Sequence, residues 1–200
     1  MKQHTHYTSY MHRDLFSQNV SGNHVSHNLF FGLVPEEHAR ERMAQEVGRL
    51  RAVHDLQGRW IKPARYHLTL HYLGEFSELP EELVARACQA ADAIVMPEFD
   101  LVLDRVGHFK QGVGWLGSAQ ADARLQQLWE TLRMGLAHAH VRIQGHAVFK
   151  PHVTVVRDAR GGLPAGPVDP IVWPVRDFAL IDSQLGSHNE YVVVRRWQLR

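Results

Sequence analysis

Two short stretches decide the fold: Tyr66–Gly74, which reads YHLTLHYLG, and Phe149–Arg157, which reads FKPHVTVVR. In both stretches polar and apolar residues alternate, a pattern typical of a strand with one buried face. The alternation predicts that His67, Thr69 and His71 point to one face, while Leu68, Leu70 and Tyr72 point to the other. In the second strand His152 and Thr154 share a face. Each strand thus offers an imidazole and a hydroxyl, about 7 Å apart between Cα atoms.

The pattern His-apolar-Ser/Thr-apolar is rarer than the histidine content alone would produce. The chain has 15 histidines in 200 residues. With this composition, chance predicts roughly 0.2 matches to the pattern. Two matches, each on a well-formed strand, favour a functional role over two unrelated structural histidines.

The remaining sequence alternates between strand and helix patterns. Three amphipathic helices are predicted, at about 35–53, 80–95 and 121–139. The other predicted strands are Asn28–Val34, Phe99–Val106, Gly114–Gly117, Ile171–Asp182 and Tyr191–Gln198, with a Pro- and Gly-rich loop at 161–170. Strands outnumber helices and several neighbours are close enough to be antiparallel, which predicts an α+β fold.

The chain is predicted to contain one domain after a leader. Residues 1–27 are polar, rich in histidine and without periodicity, and we expect a flexible extension there. Residues 28–200 form the domain. Each half of it contains a helix followed by a His-x-Thr strand, which predicts two similar lobes with a cleft between them.

Composition excludes several classes of protein. The single cysteine, Cys88, excludes a framework of disulfides and fits a reducing cytoplasm. No apolar run approaches the roughly 20 residues that a membrane helix needs, so we expect no membrane partner. The formal charge of +1 is too small to indicate a nucleic-acid coat, although it allows a local basic cleft.

Two histidines and two hydroxyls that converge suit phosphoryl chemistry. Opening a cyclic phosphodiester with water needs a base for the water proton and an acid for the departing oxygen. Imidazole serves either role near neutral pH, and threonine hydroxyls can hold phosphate oxygens. A metal site is the competing interpretation, but no His-Glu-x-x-His or Cys-x-x-Cys spacing is present. We therefore expect no metal and no other cofactor.

The sequence resembles a known family, the RNA 2′,3′-cyclic phosphodiesterases, also called 2′-5′ RNA ligases, of the two-histidine phosphoesterase superfamily. The resemblance extends from about Leu29 to Leu199. It is carried, in order, by Leu29–Leu33 (LFFGL), Tyr66–Gly74, Trp115–Gly117 (WLG), Phe149–Arg157, Trp173–Val175 (WPV) and Phe178–Leu180 (FAL).

The resemblance implies a bilobal fold in which two antiparallel-rich sheets, flanked by helices, face a central cleft. It implies hydrolysis of 2′,3′-cyclic phosphate ends of RNA to 2′-phosphates, with 2′-5′ ligation as the reverse reaction. His67 would be the proton donor and His152 the proton acceptor. The implied partner is RNA with a cyclic phosphate end, and a cytoplasmic monomer without an obligate protein partner is expected.

Two further residues match the family pattern. Arg157 matches an arginine that faces the phosphate, yet its odd offset from His152 would point it away from His152 in an ideal strand. A bulge or the end of the strand would restore it; a surface salt bridge is the alternative. Phe30 occupies an aromatic position of the family, where it could stack on a terminal base or pack in the core, as could Phe31.

Two other functions remain open from the sequence alone. One is a phosphodiesterase that acts on a small cyclic nucleotide or on ADP-ribose cyclic phosphate, since only the cleft's size and base contacts distinguish these substrates. The other is a non-catalytic module that binds RNA ends. Such a module has no need of two titrating groups, so the intact histidine pair favours an enzyme.

Overall fold

The described part of the chain forms nine strands and three α-helices. The computed structural model describes residues 26–110, 112–120, 122–144, 148–185 and 191–200. The strands are β1 (Ser26–Leu33), β2 (Arg59–Trp60), β3 (Leu68–Phe76), β4 (Phe99–Phe109), β5 (Val113–Gly117), β6 (Val153–Arg157), β7 (Gly166–Val175), β8 (Asp177–Leu185) and β9 (Tyr191–Gln198). The helices are α1 (Glu37–His54), α2 (Glu81–Asp92) and α3 (Ala123–His138), and Pro63–Arg65 forms a 3₁₀ turn before β3.

All of these strands belong to one antiparallel sheet with two four-stranded halves. The first half has the order β7-β4-β5-β6, and the second has the order β3-β1-β8-β9. A single pair of residues, Leu68 and Val153, joins β3 to β6 between the halves. The α+β class is therefore confirmed. The two expected sheets are continuous with each other at the point where the two motif strands meet.

The helices cover the two halves separately. α1 packs against β7, whereas α2 and α3 pack on each other and reach β9 and β3 respectively. Asp122 caps the N-terminus of α3, and its carboxylate accepts hydrogen bonds from the backbone N–H groups of Arg124 and Leu125. The inner face of α3 has the predicted helical spacing, with Leu125, Leu128, Leu132 and Leu136 buried. None of the helices in the described ranges is long and apolar enough to cross a membrane.

One predicted strand is wrong, because Ile171–Asp182 is two strands. β7 ends at Val175 and pairs with β4, while β8 begins at Asp177 and pairs with β1 and β9. The chain therefore crosses from one half of the sheet to the other at Arg176. β7 also includes Gly166–Pro170, which the sequence placed in a loop. A strand with three prolines is tolerated there because β7 is at the edge of the sheet.

The boundary of the leader also differs slightly from the expectation. β1 begins at Ser26, and Nδ1 of His27 lies 2.7 Å from Oδ2 of Asp182 on β8. Residues 1–25, which hold the rest of the predicted leader, lie outside the described residues. The two-residue strand β2 was not predicted; it pairs Arg59 with Arg157 and Trp60 with Val156.

Candidate active site

The pairing of Leu68 with Val153 brings the two motifs together. Both side chains are fully buried and point into the core. Continuing this antiparallel register by one residue in each direction places His67 opposite Thr154 and Thr69 opposite His152. Directly opposite residues are about 5 Å apart and share a face. The two histidines and the two threonines therefore form the corners of a small square on the face of the sheet opposite to the buried Leu68 and Val153, which we call the cleft face.

A β-bulge follows the threonine in each motif strand. On β3, Phe31 pairs with His71 while Gly32 pairs with Thr69, so Leu70 is the extra residue. On β6, Gly114 pairs with Val156 while Trp115 pairs with Thr154, so Val155 is the extra residue. Each extra residue shifts the alternation of side chains by one position. The residue five positions after each histidine is thereby returned to the cleft face.

The bulge on β6 directs Arg157 towards the cleft. Val155 and Val156 are both fully buried, whereas Thr154 and Arg157 are partly exposed. The charge of Arg157 is close enough to lower the pKa of both His67 and His152. Arg157 thus lies on the face of the histidine square, and a bulge, one of the two possibilities that the sequence left open, brings it there.

The bulge on β3 overturns the predicted faces of His71 and Tyr72. His71 is 3% exposed, its ring stacks on Trp129 of α3, and Nε2 lies 2.8 Å from the carbonyl oxygen of Trp129. Tyr72 lies on the cleft side and donates its hydroxyl proton to Oδ1 of Asn28 over 2.9 Å. His71 is therefore a structural histidine that faces away from His67.

The imidazoles of His67 and His152 are held by the same backbone contact. Nδ1 of His67 lies 2.9 Å from the carbonyl oxygen of Arg65, and Nδ1 of His152 lies 2.6 Å from the carbonyl oxygen of Lys150. A carbonyl oxygen only accepts hydrogen bonds, so each Nδ1 carries a proton. In the neutral imidazole, Nε2 is then the acceptor. The fold therefore presents two equivalent Nε2 atoms for proton transfer.

Aromatic rings enclose the two histidines and lower their basicity. Phe30 lies 4.9 Å and Tyr191 5.3 Å from the ring of His67, between ring centroids, and Phe109 lies 4.8 Å from the ring of His152. Burial lowers the pKa of His67 to about 4, and the nearby cationic groups lower it too. Burial also lowers the pKa of His152, as does the charge of Arg157. Both shifts favour the neutral imidazole because a buried charge loses its hydration.

The other residues that the sequence predicted for the site are either partly exposed threonines or buried phenylalanines. Thr69 and Thr154 are partly exposed beside the histidines, and neither hydroxyl hydrogen-bonds to another group of the described chain. Phe30 is 3% exposed and packs beneath His67, so its ring supports the imidazole in this structure. Phe31 lies wholly in the core. No group of three or more His, Cys, Asp or Glu side chains that could hold a metal occurs among the described residues.

Tyr191 and Arg65 also lie beside His67, although the sequence did not indicate either residue. The hydroxyl oxygen of Tyr191 lies 3.1 Å from Nδ1 of His67, and the guanidinium carbon of Arg65 lies 4.3 Å from the centroid of the Tyr191 ring. Arg65 also donates to the hydroxyl of Ser183 over 3.2 Å. Arg65 could have been suspected from its place two residues before His67. Tyr191 carries no local signal, because only the pairing of β8 with β9 brings it to the site.

Known proteins are similar to this chain, one of them over most of its length. A family model described as LigT-like phosphoesterase matches residues 33–115. An RNA 2′,3′-cyclic phosphodiesterase of Escherichia coli (strain K12) is 32% identical over 178 residues, which cover 86% of this chain and 96% of that protein. A second RNA 2′,3′-cyclic phosphodiesterase, from Thermotoga maritima, is 32% identical over 103 residues, or 49% of this chain and 52% of that protein.

Solved structures show the same architecture. The crystal structure of E. coli LigT complexed with 3′-AMP superposes with a TM-score of 0.70 at 29% identity, covering 87% of this chain and 98% of LigT. TT0787 of Thermus thermophilus superposes with a TM-score of 0.70 at 28% identity, covering 86% of this chain and 98% of that protein. Together with the motifs and their register, these similarities show that the chain belongs to the LigT-like phosphoesterase family.

Proposed function

We propose that the chain hydrolyses 2′,3′-cyclic phosphate ends of RNA to 2′-phosphates without a metal ion. The observation that carries this proposal is the convergence of His67, His152 and the two threonines on one face, with both Nε2 atoms free of the backbone contact. The names of the E. coli and T. maritima relatives give the same substrate.

The square of side chains supplies each function that the reaction needs. Nε2 of His152 takes a proton from water as the water oxygen attacks phosphorus. The bond from phosphorus to O3′ breaks, and Nε2 of His67 gives its proton to O3′. The 2′-phosphate remains. The hydroxyls of Thr69 and Thr154 and the guanidinium of Arg157 hold the non-bridging oxygens, where negative charge grows. The family resemblance, rather than this geometry, assigns the donor and acceptor roles.

The same arrangement accounts for ligation as a reverse-type reaction. When a 5′-hydroxyl of a second RNA replaces water, His152 takes the hydroxyl proton and O3′ again leaves. The product is then a 2′-5′ linkage.

The proposal also includes a monomer that acts in the cytoplasm. The cytoplasmic compartment is supported by the single cysteine, Cys88. Its thiol is free and partly buried in α2, and burial raises the pKa of this thiol.

The first test is hydrolysis of a short RNA that ends in a 2′,3′-cyclic phosphate, with EDTA present and the position of the product phosphate determined. We expect a 2′-phosphate at a rate that EDTA does not diminish. Loss of activity in EDTA would contradict the metal-free reaction. No turnover of the RNA, but turnover of a small cyclic phosphate, would contradict the RNA substrate. Binding without turnover of either would indicate an end-binding module.

The lowered basicity of both histidines predicts an acidic optimum for the free enzyme. Catalysis needs one imidazole protonated and the other neutral. Because the pKa of His67 lies near 4 and that of His152 lies below its ordinary value, this state is most populated below pH 6.5. We expect kcat/KM to peak below pH 6.5 and to fall above it. The bound phosphate anion raises both pKa values, so the profile of kcat should lie at higher pH. A flat profile between pH 5 and 9 would contradict the two-imidazole mechanism.

A further inference from the structure

Three aromatic rings touch the two active-site histidines, and they differ in what covers them. Phe30 is 3% exposed and is enclosed by the protein. The guanidinium of Arg65 covers one face of Tyr191, whose ring also meets Phe30 at 6.0 Å. Phe109, at the end of β4, is partly exposed and meets the ring of His152 edge-on, at 86°. Within the described residues, Phe109 and Tyr191 are thus the partly exposed rings at the histidines, and Phe109 is the one beside His152.

Trp115 supports Phe109 on the same face of the sheet. The centroids of the two rings are 5.5 Å apart with 34° between their planes. Trp115 lies opposite Thr154 on β6 and opposite Gly107 on β4, so its side chain shares the cleft face with Thr154. Leu116 and Val153, which are paired next to them, are fully buried on the other face. Trp115 and Phe109 therefore form one aromatic ledge beside His152.

Two glycines make room for this ledge. A Cβ atom at Gly107 would lie 2.5 Å from the Trp115 ring, and one at Gly117 would lie 3.1 Å from it. Any other residue at Gly107 would therefore displace the indole from the sheet. Neither glycine has a positive φ. The close contact of the Trp115 ring with the backbone is therefore the reason for a glycine at these positions.

Stability alone does not explain the position of the Trp115 ring. The indole Nε1 is buried and has no hydrogen-bond partner. A buried donor without a partner costs free energy, and native proteins seldom keep one without a reason. Packing on the two glycines holds the ring despite this cost. The arrangement favours a role for the ring surface over a role for its polar edge.

We infer that the Phe109–Trp115 ledge stacks the nucleobase of the nucleotide that carries the cyclic phosphate. This inference rests on the proposed function, because it places the base relative to the phosphate in the histidine square. β5 is directly next to β6, about 4.8 Å away, so the ledge begins one strand from Thr154 and His152. That is within the span of one nucleotide from phosphate to base. Stacking on aromatic rings tolerates every base, so the ledge selects a nucleotide without selecting its sequence.

The test compares a substrate with a base and one without it. The pair is adenosine 2′,3′-cyclic phosphate and methyl ribofuranoside 2′,3′-cyclic phosphate. The natural chain should prefer the adenosine compound by roughly tenfold to a hundredfold in kcat/KM, the effect of one stacked base. In Phe109→Leu and Trp115→Leu this preference should fall towards one, while Phe109→Tyr should keep it. If the leucine variants slow both substrates equally, the rings only pack against His152 and the inference is overturned.

A pair of glycine variants tests the ledge without removing a ring. Gly107→Ala should displace the indole and lower the preference for the base. Gly166→Ala is the matched control, since a Cβ at this strand residue meets nothing within 4 Å; it should keep the natural preference. An unchanged preference in Gly107→Ala would overturn the role of Trp115.

Binding separates failure of the ledge from failure of the proposed function. Calorimetry with adenosine 2′-monophosphate and with inorganic phosphate needs no turnover. If the natural chain hydrolyses neither cyclic compound and does not hydrolyse the RNA with a cyclic phosphate end either, the proposed function fails; tighter binding of the nucleotide that Phe109→Leu abolishes would still support the ledge. If the natural chain hydrolyses both compounds equally well, the function stands and the ledge is refuted.

Discussion

Replacing His67 or His152 with alanine is expected to lower kcat for a 2′,3′-cyclic phosphate by at least ~10², with the fold retained. A positioned acid or base typically contributes 10²–10⁴ in rate. Each histidine immediately precedes a motif strand, is partly exposed, and contacts the backbone through Nδ1 only. Its loss therefore removes proton transfer without removing a strand pairing. Kinetics at saturating substrate and thermal unfolding measure the two effects separately.

His71 provides the matched control for this prediction. It lies four residues after His67 on the same strand, but the bulge at Leu70 turns it into the core against Trp129. In His71→Gln the amide group can still donate to the carbonyl of Trp129, so the variant should fold and retain its kcat. A His67→Ala or His152→Ala variant with full activity would remove that histidine from the mechanism. A large loss of kcat in folded His71→Gln would show that any histidine change on this strand disturbs the site.

Local pattern was sufficient to predict the elements that form the site. The alternation in Leu68–Leu70 and Val153–Val155, and the helical spacing of Leu125 to Leu136, correspond to strands and a helix in the structure. These patterns are reliable because each element buries one face against the same core. The α+β class and the family followed from the order of such segments, and both are confirmed.

The features of the site that depend on strand pairing could not be predicted from the sequence. Leu70 and Val155 are ordinary apolar residues, so nothing in the sequence marks them as bulges; the extra residue is visible only against Gly32 or Trp115 on the neighbouring strand. The predicted face of His71 was wrong for that reason. The contact between Tyr191 and His67 joins residues 124 positions apart. Such a contact follows from the pairing of β8 with β1 and β9, which local pattern does not encode.

Replacing Arg157 is expected to cause the second large loss of activity. Without the bulge at Val155 the guanidinium would point away from His152, whereas with the bulge its charge acts on both imidazoles. A cation that acts on both imidazoles would also act on a substrate phosphate bound between them. Arg157→Gln is therefore expected to lower kcat/KM by roughly 10², the loss typical of one group that stabilises developing charge. Arg157→Lys should lose less, because it keeps the charge but not the planar fork.

A shift of the pH profile distinguishes this role from a structural one. The charge of Arg157 lowers the pKa of His67 and of His152. Removing it raises both values, so the residual kcat/KM of Arg157→Gln should peak at higher pH than that of the natural chain. Arg160→Gln, which removes an exposed cation three residues further along, should change neither the rate nor the profile. If Arg157→Gln loses activity without any shift of the profile, the guanidinium acts away from the imidazoles. Equal losses in both variants would point instead to general electrostatic attraction of the substrate, which added salt would weaken.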